Sequence, residues 1–170
     1  MRASLRFANR WANACRFRFA SYTLGSLERL PMKALSVRAP WWFAILHGKP
    51  VENRDWSTRV RGRVLLHASK FWKSGEIEDD WEDVLLMAEK DKLAMSEPSW
   101  PEMKAAGGCI VGSVEIYDCV REHPSAFFVG EYGFLLREPI AFDWPVPFKG
   151  ALGFFDVPDS VIADAGKLIG

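Results

Sequence analysis

Apolar and polar positions alternate across residues 33–38, with Leu35 and Val37 on one face, and this two-residue period predicts an opening strand. Pro40 then begins an aromatic run ending at Gly48. Proline at a first helical position and glycine just past the last predict a two-turn helix, whose amino end would offer free N–H groups to an anion. Residues 51–56 and 63–69, rich in Val and Leu, predict two strands joined by a basic loop whose Gly62 suits a turn. Residues 75–95 carry Ile77, Trp81, Val84, Leu85 and Ala88 at helical spacing, with acids at the front and Lys90 and Lys92 near the end, as a helix dipole favours. Residues 96–108, with two prolines and adjacent Gly107 and Gly108, predict a loop. In residues 109–120, Ile110, Gly112, Val114 and Ile116 alternate with Val111, Ser113, Glu115 and Tyr117, the pattern of a central strand. Two more strands are predicted, at 127–137 with a bend at its glycines and at 146–155 with a glycine break.

Many short strands with two convincing helices predict an α+β domain, nearer to a curled sheet or barrel than to a doubly wound fold. A chain of 170 residues that is 49% hydrophobic can bury the core of one domain. No apolar run approaches the roughly 20 residues needed to span a bilayer, so no membrane partner is expected. The 22 basic and 22 acidic residues cancel, but their distribution is uneven. Residues 1–31 hold six arginines against Glu28, a transit-like composition. Met32 directly precedes the first predicted strand, so 1–31 reads as an extension from an upstream start or a targeting segment. The expected domain spans 32–158, with a tail at 159–170. Three cysteines, two of them in an apolar strand, argue against a disulfide framework and fit a reducing cytoplasm.

The densest polar cluster runs from Lys49 to Arg63. On an extended strand Glu52 and Arg54 share one face while Val51 and Asn53 take the other, with Lys49 close behind. Such a surface can hold a phosphate and read a polar base edge; the plainer alternative is a surface ion pair between Glu52 and Arg54. Arg59, Arg61 and Lys70 extend the positive charge, and phosphate neutralisation asks only for several cations on one side. Trp56, flanked by polar residues, is a candidate stacking platform for an unpaired base, with a core role as its alternative. His47, His67 and His123 are scattered and the cysteines lack ligand spacing, so no metal or cofactor is expected. No nucleophile elbow, P-loop or Rossmann glycine pattern occurs.

An ordered set of segments resembles the ASCH family of the PUA-like superfamily. The set comprises Lys33-Ala34-Leu35-Ser36-Val37-Arg38 with Pro40-Trp41, Gly48-Lys49-Pro50-Val51-Glu52-Asn53-Arg54, and Arg61-Gly62-Arg63-Val64-Leu65-Leu66-His67-Ala68-Ser69-Lys70. Gly108-Cys109-Ile110-Val111-Gly112, Tyr132-Gly133-Phe134 and Pro147-Phe148-Lys149-Gly150-Ala151-Leu152-Gly153 follow in the same order. The resemblance covers about residues 33–157. It implies a PUA-like β-barrel with two or more flanking helices and a cleft between the first helix and the barrel. The family's Lys-x-x-Glu-x-Arg signature lies in that cleft and falls here on Lys49, Glu52 and Arg54. Two positions depart from the family: His47 replaces a glycine before the lysine, and Ala39 replaces a glutamine before the Pro-Trp pair.

The resemblance implies binding of RNA or single-stranded nucleic acid. Lys49, Arg54, Arg59, Arg61, Lys70 and Lys149 are then expected near phosphate, Glu52 at a base or nucleoside, and Trp56 or Tyr132 as the stacking ring. The alternative is a small enzyme acting on RNA or a modified nucleoside. A related branch of amidohydrolases acts on N4-acetylcytidine with a threonine where this chain has Glu52, so here Lys49 and Glu52 would be the acid–base pair of a hydrolase or ribonuclease.

Overall fold

The computed structural model describes residues 31–162, apart from positions 71 and 74. The expected extension up to residue 30 and the last eight residues of the expected tail lie outside the described residues. Among the described residues, six strands and four helices follow one another as β1 (Met32–Val37), α1 (Trp41–Leu46), β2 (Val51–Arg54), β3 (Gly62–Ala68), α2 (Glu76–Lys90), α3 (Trp100–Ala105), β4 (Cys109–Val120), β5 (Tyr132–Pro147), β6 (Phe154–Val157) and α4 (Asp159–Ile162). The strands form one mixed sheet in the order β2-β5-β4-β3-β1-β6. Only β1 and β3 pair in parallel, and the other neighbours are antiparallel. The protein is therefore α+β, with an open sheet in place of the expected barrel: β2 and β6 are its two edges.

The sheet curls until those edges meet through side chains. Arg54 of β2 donates to the Ser36 carbonyl of β1 at 3.0 Å, and Trp56, just past β2, stands edge-on to Phe154 of β6. Inside the curl, Leu35 and Val37 join Val64, Leu66, Ile116 and Phe134 in the main core, which Trp42 and Ile45 of α1 and Met103 of α3 cover. The opposite faces of β1 and β3 bring Ala34 and Leu65 to a second cluster, which includes Ile162 of α4. The folded unit thus extends past the expected boundary at residue 158. In a third cluster, Trp81, Val84 and Ala88 of α2 pack on Val51, Phe127 and Leu135, as the helical spacing predicts. None of the described helices is long and apolar enough to cross a membrane.

Three elements differ from the sequence expectations. The predicted loop at 96–108 contains α3, which starts beside Pro101 in its first turn, where the missing N–H costs no bond. The strands expected at 127–137 and 146–155 are replaced by one strand, β5, and the short β6. Pro139, Pro145 and Pro147 did not break β5 because β2 pairs only as far as Leu135; beyond it that side of β5 is an edge, where a proline removes no ladder bond. In β4 the strict alternation fails as well. Register shifts between Ile110 and Gly112 and between Ser113 and Glu115 turn Val111 into the same core as Val114 and Ile116, while Ile110 faces the second cluster.

Candidate functional site

The turn out of α1 is built as its sequence suggests. His47 caps the helix, and Gly48 takes a φ of +102°, which lets the chain reverse into β2. That reversal delivers Lys49 beneath the Trp41 ring, with Nζ 5.2 Å from the ring centre. Along β2 the side chains separate as expected. Val51 enters the core, while the Asn53 amide donates to the Phe127 carbonyl and accepts from the N–H groups of Val129 and Gly130, which fixes that loop. Glu52 and Arg54 share the other face.

Lys49, Glu52 and Arg54 are brought together. The Glu52 carboxylate takes Lys49 Nζ at 2.5 Å on one oxygen and Arg54 Nη2 at 3.0 Å on the other. The Lys49 side chain is 2% exposed and that of Glu52 8%, so this is a buried charged triad and not the surface pair of the plainer reading. One negative and two positive formal charges leave the triad a net +1 beside Trp41 of α1. Lys49, expected to meet phosphate, is enclosed and neutralised by its neighbour. Arg54 is the member that solvent reaches, at 22%.

The other candidates separate. Trp56 packs edge-on against Phe134 at 5.1 Å and Phe154 at 5.6 Å, so its ring belongs to the core seam. Arg61 is tied to Asp118 and to the Thr58 and Val60 carbonyls, whereas Arg59 is exposed. The Tyr132 ring lies under the Arg121 guanidinium, 4.4 Å from its centre. Lys70 and Lys149, far from β2 in chain order, both line a cleft of about 780 Å³.

The surface of this cleft is mainly apolar, with a few polar side chains set into it. Lys70, Lys149, Ser36, His67 and Ser69 line it together with the Pro147–Leu152 segment, and no carboxylate is among the lining residues. The parallel register of β1 on β3 sets Ser36 beside His67, and the Ser36 hydroxyl lies 2.9 Å from His67 Nδ1. His67 Nε2 lies 3.0 Å from the Phe148 carbonyl, which can only accept; Nε2 therefore carries the ring proton and Nδ1 accepts from Ser36. Burial holds the His67 pKa below its ordinary value, the Phe148 bond opposes that shift, and the Lys70 charge adds to it. Gly150 presses against the pair so closely that a Cβ there would lie 2.3 Å from His67 Cε1 and 2.9 Å from Ser36 Oγ. The Ser69 hydroxyl is buried without a hydrogen-bond partner among the described residues.

Sequence reasoning missed Ser36, His67 and Ser69 as a group. His67 and Ser69, two residues apart, share a side by the strand period, with Ser69 just past the end of β3, but Ser36 meets His67 only through a parallel pairing that alternation within one strand cannot reveal.

The depressed His67 pKa has a thermodynamic consequence. Below the ordinary histidine value of 6.5 the unfolded chain binds this proton and the folded one resists it, so stability falls as pH drops through that range. Urea denaturation at stepped pH is expected to show this slope, and His67→Gln is expected to reduce it; an unchanged slope in the variant would assign the effect elsewhere.

Among the described residues no group of three or more His, Cys, Asp or Glu side chains is arranged to hold a metal. Comparison of the chain with protein-family models gives no match, and comparison with curated proteins gives none either.

Proposed function

We propose that this chain is an ASCH-type, PUA-like module that binds RNA or single-stranded nucleic acid in the cytoplasm, with the Lys70–Lys149 cleft as its phosphate-facing site. The observation that carries the reading is the charge of that cleft. A protein whose charges cancel overall sets two lysines, a histidine and two hydroxyls around one concavity with no acid in its lining. Local segregation of this kind attracts a polyanion where net charge does not. The meeting of the signature residues Lys49, Glu52 and Arg54 in one ion-paired cluster adds support for the family reading. Exposed Arg59 is a further backbone contact in this scheme.

Binding driven by phosphate neutralisation weakens as salt rises, with a slope of about −0.7 per phosphate contact on single strands. Fluorescence anisotropy of a labelled single-stranded RNA across a salt series is expected to show such a slope, and Lys70→Ala/Lys149→Ala is expected to flatten it by about one unit or more. Affinity independent of salt, or a variant that matches the wild type, would sink the proposal.

A second reading rests on the 2.5 Å approach of Lys49 to Glu52 in a buried setting, the proximity that an acid–base pair requires. It expects release of acetate from N4-acetylcytidine, or RNA cleavage, without added metal. Lack of product from both substrates over long incubation would dismiss it.

A further inference from the structure

We infer that the Lys70–Lys149 cleft is a phosphomonoester pocket, which holds the terminal phosphate of a strand or a free nucleoside monophosphate in preference to an internal phosphodiester. The inference rests on the nucleic-acid reading of the same cleft and gives it a ligand class.

Charge is the first argument. An internal phosphodiester carries one negative charge, whereas a phosphomonoester carries about −1.5 to −2 at neutral pH and offers three acceptor oxygens. Two lysines line the cleft, and no carboxylate among its described lining residues offsets them. The donor inventory is the second. Ser36, which lines the cleft, has its hydrogen committed to His67 and keeps only acceptor capacity, suited to a sugar hydroxyl. Ser69 keeps a buried hydroxyl without a partner among the described residues at the cleft wall, where an unsatisfied polar group is costly, and a turn of its side chain would offer it to a phosphate oxygen. Shape is the third. At about 780 Å³ the cleft falls within the roughly 300–1,000 Å³ usual for small-ligand pockets. Phe148 and the fully exposed Leu152 give its rim apolar surface for a sugar or base.

The test compares one single-stranded RNA sequence carrying a 5′-phosphate, a 3′-phosphate or hydroxyls at both ends, with the four nucleoside monophosphates as competitors. A phosphate at one end is expected to tighten binding about tenfold, the scale of one charge-assisted hydrogen bond. Lys70→Ala, Lys149→Ala and Ser69→Ala should each reduce that preference, with circular dichroism confirming the fold. Arg59→Ala should weaken all three strands alike. Equal binding of the three strands by the wild type, lowered by Lys70→Ala/Lys149→Ala, would overturn the monoester pocket and leave the nucleic-acid reading standing. Calorimetric binding of a monophosphate on its own, without binding of any strand, would do the reverse, and no binding of any ligand would overturn both.

Discussion

Glu52→Ala is expected to lower the stability of the protein by about 3–5 kcal/mol, a loss on the scale found when one partner of a buried ion pair is deleted. The Lys49 side chain is 2% exposed, so its ammonium cannot regain water when its partner disappears. Trp41 lies beside it, and a ring face at 5.2 Å compensates only a small part of that cost. Lys49→Met/Glu52→Gln should recover most of the loss, because methionine fills the lysine space without a charge and glutamine can still accept from Arg54. Urea denaturation of the two variants beside the wild type decides the matter. If Glu52→Ala unfolds at the wild-type midpoint, the triad is not the buried unit described above. Nucleic-acid binding by any variant here must be read on the folded fraction, since loss of fold imitates loss of a contact.

Trp56→Ala is expected to cost about 3 kcal/mol while leaving the affinity of the folded protein for single-stranded RNA unchanged within about twofold. The ring bridges Phe134 of β5 and Phe154 of β6, which themselves stack at 5.9 Å, so truncation opens a hole where the two sheet edges meet. A base-stacking role would give the opposite result, with stability kept and affinity lost. Measuring the denaturation midpoint and the RNA affinity on the same preparation separates the two.

Residues whose partners lie on the same short segment were legible from sequence. The division of β2 into Val51 and Asn53 against Glu52 and Arg54 follows from the strand period, and the α2 face of Trp81, Val84 and Ala88 from the helical one. The turn at Gly48 was legible from its place after an aromatic run. Burial was the part that could not be read. Charged residues at Lys49 and Glu52 look like surface until the curl encloses them, and Trp56 looks exposed among polar neighbours until β6, nearly a hundred residues later, supplies Phe154. β5 was misread because separate apolar runs marked by glycines do not show that one strand continues along β4 through its register shifts. The cleft was half legible. Lys70 and Lys149 appeared as cations, but the hydroxyls and the histidine between them depend on strand register.

The prolines of β5 have a consequence for how the molecules behave in a crowd. A sheet edge recruits strands from other molecules when it presents a continuous row of donors and acceptors. Here the half of β5 beyond Leu135 has donors removed at Pro139, Pro145 and Pro147, and the ends of the sheet at β2 and β6 are turned towards one another and engaged by Arg54 and Trp56. A passing chain therefore finds little uninterrupted backbone on which to add a strand, and an open sheet gains much of the resistance to aggregation that a closed one has by construction.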